Sequence, residues 1–524
     1  MAKMSLMKKL GIAGGSMFVL SMLMWFGFPK LLVSMIKSQV NLKPGTDVRA
    51  LWSKIPFAID FRVYLYNVTN PDEVKAGAKP IVRQVGPYYF EEWHEKDNLI
   101  DRDEDDSVEY AIKNTFHFKA EKSEGLTGEE ELTLPHVFIL AMVMTVLRDK
   151  PTAMPVINKA VNSIFKNPEN VFVKVKAMDL MFRGLMVDCT VSDFAGGAVC
   201  GMLKENPEGL IVYDEEHFGF ALLGAKNGTA AKQRMRVLRG RKNLMDIGRV
   251  IEFDGKKNIS KWDDDRCDAF NGTDSYVFHP FLYENEDVVS FAPDLCRSLG
   301  AYFQKKTKLA GLNTNRYTAY LGDPSSDESL KCNCEAADKC LKAGMMDLHK
   351  CLGVPLVASH PHFYMADESY LATVDGLSPK QEDHEIFLDF EPFTGTPMFA
   401  KKRLQFNIPI TKVDKFKIMK NFPDAMLPLF WVEEGVLLPD ELIAQVKMIH
   451  TMLTVVAVMK WLMLLAGLGM GGGAGFLYYK ATQGSDKLEI TKVPKDNGKP
   501  GSTEKKISPL NVNTLQARVP PVLD

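Results

Sequence analysis

The chain carries almost no net charge. Its 64 Lys and Arg stand against 66 Asp and Glu, a formal −2 with a pI near 6.6. That balance gives no electrostatic basis for a nucleic-acid partner. The sequence patterns of common catalysis are also missing: there is no G-x-S-x-G elbow, no H-E-x-x-H and no Walker loop. The ten histidines are scattered rather than clustered. An enzyme is therefore not expected, and nothing in the sequence asks for a cofactor or a metal. No period of 20–50 residues repeats, which excludes a solenoid or propeller. Cysteine is absent before position 189 and after position 351.

Two uncharged apolar runs are present instead, Leu10–Phe28 and Trp461–Tyr479, with a mostly polar stretch between them. As helices they would each be about 28 Å long, close to the hydrocarbon thickness of a bilayer. The first is longer than a signal-peptide core and leaves through Gly27-Phe28-Pro29-Lys30 without a small-x-small cleavage site, so it reads as an uncleaved anchor. Gly467, Gly469 and Gly471 begin a G-x-G-x-G string inside the second run, where it reads as helix packing. The four-residue spacing recurs at Gly467/Gly471, Gly469/Gly473, Gly471/Gly475 and Gly11/Gly15.

Lys3, Lys8 and Lys9 precede the first run, and seven lysines between 480 and 506 follow the second. Short basic flanks stay on the cytoplasmic side. The expected layout is a cytoplasmic N-terminus at 1–9, spans at 10–29 and 461–479, an outer region at 30–460 and a disordered cytoplasmic tail at 480–524.

The outer region carries the marks of an oxidising compartment. All eight cysteines fall there, six of them in a disulfide-rich segment at 267–351. Six cysteines allow fifteen pairings, and spacing does not choose among them. Four glycosylation sequons, at Asn67, Asn227, Asn258 and Asn271, also lie only between the two runs. Ile59, Phe61, Val63 and Leu65 alternate with polar neighbours as in a half-buried strand. Similar runs recur at Ile81–Phe90, Arg249–Phe253, Tyr317–Leu321 and Met398–Ile410.

Helical signals cluster at 134–186. Val137–Leu147 is apolar nearly all round, and Val156, Ile157, Ala160, Val161, Ile164 and Phe165 share one helical face. Lys150, Lys159 and Lys166 are interspersed. They either solubilise an apolar bundle or rim a mouth suited to a chain with a polar head. The basic stretch from Lys226 to Lys242 reads as a solvated face, with docking of an anionic partner as the alternative, and the acidic run Asp97–Glu109 as a solvated hairpin tip.

Several segments are similar to the class B scavenger receptor family. They include VGPYYFEEW at 85–93, KKNISKW at 256–262, LCRS at 295–298, DGLSPKQEDHE at 375–385, LDFEPFTGTP at 388–397 and AKKRLQFNI at 400–408. More narrowly, YLYNVTNPDEV at 64–74, VKAMDLMFRG at 175–184, FQKKTKLAGLNTNRY at 303–317 and PLFWVEEG at 428–435 resemble the insect sensory neuron membrane proteins, of the first type. The resemblance implies an α+β fold: an antiparallel β-barrel-like ectodomain with a helical apex at 134–186, held by one transmembrane helix at each end. It also implies an apolar tunnel from apex to bilayer, with Lys150, Lys159 and above all Lys166 as candidates to meet a polar head.

The implied pairings are Cys267–Cys332, Cys296–Cys351 and Cys334–Cys340, with Cys189 and Cys200 as a possible fourth bridge. The implied partners are a lipid or pheromone ligand, the plasma membrane of olfactory dendrites, an odorant receptor complex and a soluble odorant-binding protein. Cysteines beside the spans, which scavenger members often carry for palmitoylation, are missing here. Two functions are expected to compete: a non-enzymatic conduit for small lipids, and a scavenger or adhesion receptor for lipid particles.

Overall fold

The computed structural model describes residues 5–336 and 338–489. Two compact units divide the chain: one holds the terminal segments up to Phe28 and from Val456, and the other is Pro29–Val455.

In the first unit, the helix Leu6–Phe26 packs on part of the long helix Asp440–Glu489. Both are long and apolar enough to cross a membrane. The approach is close because glycines meet. A Cβ on Gly14 would lie 2.8 Å from the Gly471 nitrogen and 3.0 Å from the Gly467 carbonyl oxygen. Removing the side chain lets two backbones touch where apolar lipid provides no hydrophobic drive. The packing thus uses Gly11, Gly14 and Gly467 against the Gly471 backbone, whereas the side-chain positions of Gly15, Gly469, Gly471, Gly473 and Gly475 face open space. Trp25 and Trp461 meet edge to face at 5.1 Å, and the Lys460 ammonium sits 3.9 Å over the Trp25 ring.

The helix boundaries differ from the apolar runs. The first helix begins at Leu6 and ends before Gly27, after which a separate amphipathic helix runs Phe28–Gln39. The second apolar run sits inside a helix that continues through Glu489, so 480–489 is helical rather than disordered. The rest of the expected disordered tail lies outside the described residues.

The second unit is built on one antiparallel sheet. Its strands run in the order Val250–Phe253, Ala230–Leu238, Ser107–Phe118, Val82–Arg102, Ile59–Val68, Ala425–Leu437, Thr396–Ile410, Phe387–Glu391, Leu312–Ala319, Arg297–Leu309 and Val288–Ala292. Two short strands, Met345–Asp347 and Val357–Ser359, extend it beside Thr396–Ile410. The two outer strands are nearly joined. Gly272 accepts from Val250 N–H at 3.1 Å, Thr273 N–H donates to Val289 at 3.0 Å, and Phe291 N–H donates to Thr273 at 2.9 Å. A single bridging segment therefore turns an open sheet with two reactive edges into a nearly closed barrel.

The helical region is more mixed than the sequence pattern suggests. Helices Val137–Asp149 and Met154–Ile164 are followed by a strand, Phe172–Lys176, which pairs with Glu131–Pro135. A further helix, Phe194–Glu205, packs on the second through Ala160, Ile164, Ala195 and Cys200. Met154 takes the buried place expected for Val156, which is exposed.

All eight cysteines are paired, as Cys189–Cys200, Cys267–Cys332, Cys296–Cys351 and Cys334–Cys340.

The two charge runs keep an exposed hairpin tip, with Asp103, Glu104, Arg241 and Lys242 in solvent, but they also pair with each other. The strands Ser107–Phe118 and Ala230–Leu238 are antiparallel partners, which sets the basic stretch against the acidic hairpin tip. Arg239, fully buried, binds Asp101, Asp103 and Asp106 at 3.2, 2.6 and 3.2 Å. Arg236 pairs with Asp105 and Glu252, and Arg241 with Asp103. The basic stretch finds its anionic partner within its own chain.

Candidate functional site

Alternation along the strands sorts the barrel wall into two faces. Cross-strand partners share a face, so Phe61 lies beside Phe90 and Glu434, Leu404 beside Val432, and Phe406 beside Phe430. The opposite face carries the half-buried ion pairs Lys113–Glu95 and Lys119–Glu91, and there Gln405 and Arg403 bond to His362, Glu382 and Glu385, so the segment 362–385 covers it in part and the Phe61 face points inward.

Inward Phe61, Val63, Leu65 and Phe90 are buried, but burial is inverted between the faces on two neighbouring strands. On the strand Thr396–Ile410 the outward polar side chains Arg403, Gln405 and Asn407 are fully buried, while inward Leu404 and Phe406 are only half-buried. The strand Ala425–Leu437 repeats this, with Trp431 and Glu433 buried and Phe430 and Val432 half-buried. Leu388, Leu299 and Phe303 are also half-buried on the inward side. An apolar side chain inside a closed wall that stays half accessible adjoins unfilled space, and its dispersion contacts there are missing.

The outward polar groups are buried because they are satisfied. Gln405 accepts from Tyr66 O–H at 2.5 Å and from His362 N–H at 2.8 Å. Asn407 donates to Val357 at 3.0 Å, and Glu433 binds Arg403 and Arg62, each at 2.7 Å. Gln84 accepts from Trp431 Nε1–H at 2.7 Å and lies 2.6 Å from His362 Nε2. His362 stacks on His384 with 4.4 Å between ring centroids. Burial pushes His362 down to about 4 and His384 to about 3, so both are neutral in the fold. Nothing in the sequence periodicity marks this network, because polar residues at alternate strand positions read as solvent-facing.

The inward face also carries charge, in a row the sequence reading missed. Glu92, His94 and Lys96 are all buried along one strand. The Lys96 ammonium donates to the Trp52 carbonyl at 2.7 Å and lies 3.5 Å from the Tyr276 ring centroid and 4.7 Å from that of Trp52. Burial lowers it to about 7, against the opposing pull of Asp274. Lys402 and Glu434 form a half-buried pair at 3.3 Å on the same face.

The lysines expected at a mouth are all exposed. Lys150 caps the first helix, Lys159 lies midway along the second, and Lys166 stands just beyond it with φ +54°, bound to Asp188 at 2.9 Å. Lys150 and Lys166 therefore flank opposite ends of a helix about 16 Å long and do not converge on one point. A cavity of about 870 Å³, lined by Phe281, Tyr283, Lys306, Lys308 and Phe393 among others, shares no residue with this region. Of the sequons, Asn258 and Asn271 are exposed. Asn67 and Asn227 are half-buried, their carbonyl oxygens accepting from Thr133 and Phe116 N–H, each at 2.7 Å.

Comparison with known proteins fits this architecture. The model of the CD36 family matches residues 12–478. The chain belongs to the CD36 family, the class B scavenger receptors. It is 49% identical to sensory neuron membrane protein 1 of Apis mellifera over 520 residues, 99% of both chains. The protein of that name from Antheraea polyphemus is 45% identical over 477 residues, 90% of both chains, and that of Ostrinia nubilalis 45% over 474 residues, 90% of this chain and 89% of its own. Members of the CD36 family are membrane receptors rather than enzymes.

Proposed function

We propose that this CD36-family receptor binds long-chain, pheromone-like lipids and passes them through the barrel interior toward the membrane or a neighbouring odorant receptor. The observation that carries the reading is the inverted burial, with apolar Leu404, Phe406, Phe430 and Val432 left half accessible on the inward face. Such a surface favours an apolar ligand, because burying about 12 methylenes at roughly 0.8 kcal/mol each offsets on the order of 10 kcal/mol of exposure to water. A path lined in this way would spare the ligand that barrier with no covalent step.

In this reading both termini are cytoplasmic, 30–460 is extracellular, and the receptor sits in the plasma membrane of olfactory dendrites, as the relatives' name suggests. The helical apex at 134–186 forms the entry, where a soluble odorant-binding protein delivers cargo and Lys150, Lys159 and Lys166, spread along the rim, offer separate contacts to an anionic head.

Two variants of the full-length chain test this in cells supplied with a fluorescent long-chain lipid. Leu404→Trp fills inward space and should block transfer while surface expression holds. Replacing the three lysines with Gln should slow uptake of anionic lipid. If neither variant alters transfer, the conduit is refuted. If Leu404→Trp alone acts, the lysine assignment falls and the conduit stands. If lipid-particle binding is the only uptake affected, the particle-receptor function is the better account.

A further inference from the structure

Three buried polar atoms on the inward face have no hydrogen-bond partner among the described residues: Glu92 Oε2, His94 Nδ1 and Asn114 Oδ1. Glu92 and His94 are 3% and 5% exposed. His94 and Asn114 face each other across the strand pair, and Glu92 is two residues along on the same face. Glu92 Oε1 is engaged: the Asn114 amide donates to it at 3.0 Å, and His94 Nε2 pairs with it at 2.7 Å. Buried polar atoms are almost always paired, so three unpaired ones within one residue cluster call for an occupant.

The neighbouring charges narrow its chemistry. Lys96 is taken up by the Trp52 carbonyl and the ring faces around it, and Lys402 and Glu434 neutralise each other. An anionic head would enter beside Glu92 and Glu434 and add an uncompensated charge, and a cationic one would compete with His94, 2.7 Å from Glu92, for the same carboxylate. A hydroxyl adds no charge. It can donate to Glu92 Oε2 or Asn114 Oδ1 and accept from a protonated nitrogen of His94. The three atoms are shielded from solvent, so the head enters by displacing side chains around the half-buried Asn114.

We propose that Glu92, His94 and Asn114 form a polar subsite within the barrel for the uncharged, hydroxyl-bearing head of a long-chain amphiphile, whose chain lies along the apolar inward face. This rests on the reading of the interior as a lipid path and specifies the ligand class that path prefers.

The test uses the full-length chain in nanodiscs, with 1-tetradecanol, tetradecanoate and tetradecane competing against a fluorescent fatty-chain probe. Tetradecanol should displace the probe at least tenfold more effectively than either comparator. Asn114→Leu and His94→Phe should each weaken tetradecanol about tenfold, the loss of roughly one hydrogen bond, and leave tetradecanoate unchanged. Glu92→Gln preserves shape and keeps the test open if those variants fail to fold; it too should weaken tetradecanol selectively. Equal affinities of the three competitors, or variants that affect all three alike, overturn the subsite and leave the conduit standing. Absence of any amphiphile binding overturns both.

Discussion

Arg239→Met should destabilise the ectodomain by about 3–5 kcal/mol, the usual cost of removing one partner from a buried ion pair. The guanidinium is 1% exposed and binds three carboxylates and the Arg102 carbonyl, the last at 3.2 Å. Methionine fills a similar volume but leaves Asp106, 4% exposed, without its cation. The damage should spread to the segment leading out of Pro29. Leu42 N–H donates to the Arg239 carbonyl at 2.8 Å, and Arg49 grips Asp101 through two bonds of 3.0 Å.

For a unit of about 430 residues, an unfolding entropy near 2.1 cal/mol/K per residue converts 4 kcal/mol into roughly 4 °C of Tm. Differential scanning fluorimetry of the purified protein reads that shift. Asp106→Asn in the Arg239→Met background should recover part of it, since the stranded charge is then gone. An unchanged Tm for Arg239→Met, or strictly additive losses in the double variant, would refute a coupled buried pair and restore the solvated-face reading.

Acid should weaken the fold. Burial holds His136, His360 and His362 at about 4 and His384 at about 3, below the 6.5 of an unfolded chain. The unfolded state therefore binds more protons, and stability is complete above pH 6.5 and lost as pH falls toward 4, at up to about 1.4 kcal/mol per pH unit and histidine. Tm measured from pH 7 to 4 should fall, with a shallower slope for His384→Gln; an equal slope would exclude that residue. Cys189→Ser with Cys200→Ser removes a bridge across 11 residues, worth about 3 kcal/mol by loop entropy. Limited proteolysis should then cut first within 189–205, and an unchanged cleavage pattern would show that the bridge does not hold this helix.

Local order in the sequence was enough to reveal the parts that depend on neighbours in the chain. The alternation of Ile59, Phe61, Val63 and Leu65 marked a strand, and apolar runs marked the terminal helices, because side-chain period follows directly from backbone geometry. Motif order along the chain identified the family. Tertiary structure decided what alternation cannot show, namely which face is covered. Gln405, Asn407 and Glu433 look solvent-facing by pattern but are buried, since distant residues such as Tyr66, Val357 and Arg62 satisfy them. The acidic and basic runs look exposed until strand pairing sets them opposite each other. The glycine that meets the second terminal helix is Gly14 and not Gly15, because helix rotation is fixed by the partner and not by spacing alone. Glu92, His94 and Asn114 form a cluster only once strands far apart in sequence close into a barrel, which turns an alternating polar face into the wall of an interior.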